Sequence, residues 1–192
     1  MAHLAENATF IPGKVGRLRG AIATILVLFT GSPAVADGAD RVLALGGAVT
    51  EIVYALGQGD RLVARDSTSS YPPEASTLPD VGYVRALSPE GVLSVNPDLI
   101  LAIEGSGPPE AIGVLHEAEI PLVIVPEGYD AEAILRKITI VAEALDVPEK
   151  GALLAAQVDV SLSEAVASGR TEAPPRVLFI LSMEGGRIMA SG

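Results

Sequence analysis

Four short apolar runs, spaced by helix-length stretches, restrict the folds open to this chain more than any other feature. They are residues 41–45 (RVLAL), 62–64 (LVA), 98–103 (DLILAI) and 121–125 (PLVIV). A run that is apolar at nearly every position, and not only at alternate ones, suits a strand buried on both faces. The first run stops at Gly46-Gly47, a tight turn, and Val49, Ile52, Val53 and Leu56 then recur at i, i+3, i+4 and i+7. That stripe predicts a helix, and Gly57 stands where a C′ glycine belongs. Ser88-Pro89 reads as N-cap and first residue of a brief helix that ends before Asn96-Pro97. A turn at 104–109 leads into another helix through residue 119. Strands and helices in this alternation predict an α/β fold, a parallel sheet with helices on both faces.

Ligands of such sheets sit beyond the carboxyl ends of the strands. Those ends carry Gly46 and Gly47, residues 66–71 with Ser67, the turn with Gly105, and residues 126–129 with Tyr129. The most informative of them is the loop within 62–85, LVARDSTSSYPPEASTLPDVGYVR. It holds Tyr71 between Ser70 and Pro72-Pro73, where stiff backbone can present a phenol to a ligand. On the residues alone, packing is the commoner role for such a tyrosine. Arg65, Tyr83 and Arg85 flank the loop as cleft-lining candidates. Either arginine could meet an anionic group of a ligand or form a surface ion pair. Tyr54 reads as packing, and His116 as a solvated helix residue.

Residues 1–36 read as an export signal: a basic start with Lys14, Arg17 and Arg19, an apolar stretch at 21–29, and Ala34-Val35-Ala36 as a cleavage site before Asp37. The apolar stretch is shorter than the ~20 residues that span a bilayer. Removing 1–36 takes three of 13 basic and one of 24 acidic residues, which leaves a net charge of −13. Phosphate backbones demand basic patches, so a surface this acidic argues against nucleic acid as a partner. The chain has no cysteine, so its stability must come from a packed core without disulfides.

Beyond the fourth run the pattern is helical. Ile134, Ile138, Val141 and Leu145 line one helix capped by Asp130, within a first α/β lobe at 37–147. Pro148 opens a long helix at 148–169 with Leu154, Val158, Ser161 and Ala165 on one face. It is expected to link two lobes. RVLFILSMEGG at 176–186 then echoes RVLALGG at 41–47, which predicts that 170–192 begins a second lobe like the first, and that the sequence is a fragment.

The stretches RVLALGGAVTEIVYALG, LVARDSTSSYPPEASTLPDVGYVRALSPEGVLSVNPDLILA and GSGPPEAI carry a resemblance. The chain resembles the periplasmic haemin-binding proteins of ABC importers, whose two lobes are joined by one long helix. YPP and NPDLIL belong to the wider group, cobalamin and siderophore binders included; ARDSTS and GYVRALSPEG lean to haem. The resemblance implies a monomeric periplasmic protein that takes up ferric haem and delivers it to an ABC permease, downstream of an outer-membrane haem uptake system. It makes Tyr71 the iron ligand, and a phenolate is a hard donor that suits Fe(III). Some members supply a histidine after the first strand of the second lobe; here that neighbourhood offers only Met183, a soft donor. Glu74, and less directly Glu51, are candidates for docking to permease arginines. No phosphate loop and no Ser/His/Asp set accompany these features, so no enzyme is expected.

Overall fold

The computed structural model describes residues 38–169 and 176–191. The expected export signal and residues 170–175 lie outside the described residues. Four parallel strands form one sheet: β1 (Val42–Leu45), β2 (Leu62–Arg65), β3 (Leu99–Ile103) and β4 (Leu122–Val125), in the order β2-β1-β3-β4. The central pair, β1 and β3, is buried at every position. This is why those two strands carry no polar residue.

The helices are α1 (Gly47–Ala55), α2 (Pro89–Leu93), α3 (Pro109–Glu117), α4 (Ala131–Ala144) and α5 (Pro148–Ser168). From β1 the chain steps one way to β2, then crosses β1 to reach β3 on its other side. With right-handed crossovers this reversal puts α1 on one face and α2 and α3 on the other. The packing agrees: α4 touches both α1 and α5, and α2 touches α3. Capping follows the sequence. Ser88 Oγ accepts from Gly91 N–H at 3.4 Å, and Asp130 Oδ1 accepts from Ala133 N–H at 2.7 Å. At the opposite end of the sheet, Asp98 accepts the Asp40 and Arg41 N–H groups at 3.0 Å each, which fastens the entry to β1.

Three expectations change. Ile134 is 40% exposed, and the buried face of α4 runs instead through Ala133, Lys137, Ile138 and Val141. On α5, Ser161 and Ala165 face solvent, while Gly151 is buried and Leu154, Val158 and Leu162 are half-buried. A Cβ at Gly151 would overlap that of Ala142, so glycine sets how closely α4 and α5 approach. The second double glycine does not repeat the first. Phe179–Glu184 (β5) pairs antiparallel with Arg187–Ser191 (β6) as a two-stranded sheet. Gly185 and Gly186 have φ of 55° and 77°, the left-handed pair that a two-residue hairpin turn needs.

Candidate functional site

The loop after β2 is organised by one carboxylate. Asp66 is fully buried. Its Oδ1 accepts from Gly46 N–H at 2.9 Å and Ser69 Oγ–H at 2.6 Å, and its Oδ2 accepts from Thr68 N–H at 2.9 Å and Thr68 Oγ1–H at 2.6 Å. Thr50 on α1 adds a hydrogen bond from its Oγ1 to Ser69 Oγ at 2.7 Å. The β1–α1 turn, the first turn of α1 and the start of the Tyr71 loop thus share one buried network. Gly46 sits there at φ 108°, and a Cβ would press on Ile103 Cγ2 at 2.7 Å, so only glycine brings its N–H to Asp66 without strain.

Burial pushes the Asp66 carboxyl up. The hydrogen bonds from Ser69, Thr68 and Gly46 together outweigh it and hold the group below the ordinary 3.8. A depressed folded-state value means that the stabilisation is complete above 3.8 and disappears as pH falls through the lower, folded value. Thermal melts from pH 7 down to pH 2 should therefore steepen in their decline below about pH 4. Asp66→Asn should flatten that part of the profile; an unchanged acid limb in the variant would assign the loss to other groups.

Beyond Ser70 the loop folds back on β2. Arg65 N–H donates to Pro79 O, Val81 N–H to Arg65 O and Ser67 N–H to Gly82 O. The Arg65 side chain is 14% exposed. Its Nε donates to Ala75 O at 3.1 Å, and its Nη1 donates to Asp66 O at 2.9 Å and Asp80 Oδ2 at 3.2 Å. Ser67 Oγ donates to Asp80 Oδ1 at 3.0 Å. Arg65 and Ser67 thus bond to the loop itself, Arg65 from a largely buried position and Ser67 from an exposed one.

Braced in this way, the loop displays Tyr71, which is 63% exposed. Its phenol lies at a cavity of about 350 Å³ whose walls are Ala48, Ile52 and Ala55 of α1, Ile134 and Ile138 of α4, and Leu154 and Val158 of α5. The charged residues lining it are Glu51 and Lys137. A second depression, about 280 Å³, lies at the carboxyl ends of β1 and β3 and brings together Gly46, Gly47, Tyr83, Arg85, Ile103 and Glu127. That is where the strand order reverses, the place where open α/β sheets receive ligands. Gly105 supports it through its carbonyl, which accepts from Arg85 Nη1 at 3.0 Å. Ala48, at the start of α1, lines both cavities.

The remaining candidates separate. Tyr129 is fully exposed and lines neither of these two cavities. Tyr54 is half-buried, and burial, then the carboxylates of Glu74 and Asp60, push its phenol above the ordinary 10.0. That environment opposes a phenolate and leaves Tyr54 a packing role. Glu51, Glu74 and His116 are exposed, as is Met183 on β5. Sequence reasoning missed Asp66, Glu127 and Lys137. Asp66 had a signal, since Thr68 and Ser69 two and three positions on are the partners of an Asx-type turn.

A family model described as periplasmic binding protein matches residues 42–192. The chain is a member of that family. Among solved structures, this periplasmic binding protein is similar to the periplasmic haem-binding protein RhuT of Roseiflexus sp. RS-1, at 40% identity and a TM-score of 0.75, over 80% of this chain and 59% of that one. It is also similar to the periplasmic haem-binding protein BhuT, solved with two haems, at 42% identity and a TM-score of 0.71, over 79% and 60% of the two chains. Among curated relatives, a vitamin B12-binding protein of Vibrio parahaemolyticus is 30% identical over 84% of this chain and 58% of its own length. The chain thus spans about three-fifths of the length of these three proteins. The family's description names a compartment, the periplasm, and a binding role.

Proposed function

We propose that this periplasmic binding protein captures ferric haem and presents it to the permease of an ABC importer, with Tyr71 as an axial iron ligand. The observation that carries the reading is the display of Tyr71. A loop clamped by Asp66 and Arg65 holds an exposed phenol at the mouth of an aliphatic cavity. Phenolate oxygen is a hard donor matched to Fe(III), and aliphatic walls suit the face of a porphyrin. Deprotonation of the phenol is driven by the cation it meets. Arg85, exposed at the second depression, is the group placed to meet a propionate there. In this reading α5, 21 residues and so roughly 30 Å long, carries the chain from this lobe to the next. Glu74, exposed on the turn just past Tyr71, docks to the permease.

Cobalamin is the second reading, favoured by the relatives named as vitamin B12-binding proteins. A titration followed in the visible separates the two. Haemin should bind with a shifted Soret band and a phenolate-to-iron charge-transfer band, while cyanocobalamin should leave the protein unchanged. Saturable binding of cyanocobalamin without a response to haemin would reverse the assignment.

A further inference from the structure

α4 carries a charge where its pattern calls for an apolar side chain. Lys137 lies on the buried stripe between Ala133 and Val141 and is only 8% exposed. A buried ammonium is costly unless it is paired and hydrogen-bonded. Among the described residues its side chain makes one hydrogen bond, from Nζ to Glu127 Oε2 at 2.5 Å. An ammonium has three donors, so this bond leaves two without a protein acceptor. Glu127 is itself fixed from the turn after β3, because its N–H donates to Glu104 Oε2 at 2.8 Å. The same lysine lines the aliphatic cavity that Tyr71 overlooks, and Glu51 is the anionic residue on that wall.

An anchoring role for the β4–α4 connection would need only the bond to Glu127. It does not explain why Lys137 also lines a ligand-sized apolar cavity. We infer that Lys137 is a specificity-determining residue, which selects ligands bearing a carboxylate over those whose periphery is neutral amide or ester. This inference rests on the haem reading and sharpens it. Haem carries two carboxylates, while the side chains of cobalamin's corrin ring are amides. Glu127 orients the ammonium, and a ligand carboxylate takes the donors that Glu127 leaves. Repulsion from Glu51 limits how many carboxylates the cavity admits.

The test compares haemin with haemin dimethyl ester, whose iron and macrocycle are the same but whose carboxylates are masked. Both are titrated into wild type, Lys137→Met and Lys137→Arg, with circular dichroism melts to report folding. Wild type should prefer the diacid. Lys137→Met should weaken haemin about 10-fold, the worth of a charge-assisted hydrogen bond, and leave the diester within about twofold. Lys137→Arg should keep the preference. Equal weakening of both porphyrins in Lys137→Met, or no change in either, overturns the inference. It leaves the haem reading in place wherever the wild-type spectrum still depends on Tyr71. A wild type that binds neither porphyrin overturns both.

Discussion

Tyr71→Phe should abolish the charge-transfer band of the haemin complex and weaken binding by at least about 100-fold. Outer-shell partners of a metal site are already worth 10–100-fold, and the ligand itself should be worth no less. The substitution deletes a single oxygen and retains the ring, so a tyrosine that merely packed would tolerate it. A packing role predicts the opposite order, with little effect of phenylalanine and a large one only for alanine. Reduction to Fe(II) should also loosen the wild-type complex, because a hard anionic donor favours the ferric ion. Affinity and visible spectra of wild type, Tyr71→Phe and Tyr71→Ala check all of this. A wild-type spectrum in Tyr71→Phe would transfer the ligand role to Tyr83, which is half exposed at the neighbouring depression.

Asp66→Ala should be the most destabilising single change near the site. It strips acceptors from the Gly46 and Thr68 N–H groups and from the Thr68 and Ser69 hydroxyls. Unpaired polar groups in a buried setting cost about 1–3 kcal/mol each when water cannot reach them, so a net loss of about 3–5 kcal/mol is expected. For a domain of this size that lowers the melting midpoint by about 10–15 °C. Asp66→Asn keeps the shape and one acceptor oxygen and should fall between the two. Thermal melts decide it: a loss below about 1 kcal/mol would mean that water replaces the carboxylate.

The sheet is legible in the sequence because its strands are short, almost wholly apolar and punctuated, and because capping is local. Ser88 and Asp130 declare their helices within four residues. The hairpin at 179–191 is not legible from its opening, because an apolar run ending in two glycines is compatible with two continuations. After Gly46-Gly47 the residues AVTEIVYALG have a helical period; after Gly185-Gly186 the residues RIMAS do not. The segment on the far side of the glycines chooses the structure, and the echo on the near side misleads. Gly46 and Gly47 emerge at the depression because the rule about strand ends is topological. That Arg65 bonds within its own loop is not legible, because a charge in sequence does not reveal which way its side chain turns. Lys137 is hidden by the apolar residues around it, and its pairing with Glu127 spans two elements that only the folded chain brings together.

The Asp66 network also settles when the Tyr71 loop loses its freedom. Fixing a flexible loop costs roughly 1–2 kcal/mol per residue in backbone entropy. Here that cost falls on folding, since the carboxylate, the Arg65 guanidinium and the turn at Gly46 have already selected one arrangement. Ligand capture then has little ordering left to perform, and the association free energy is spared that loss. A receptor pre-set in this way discriminates by fit at encounter, and it accommodates unlike ligands poorly because its recognition loop has little slack with which to adapt.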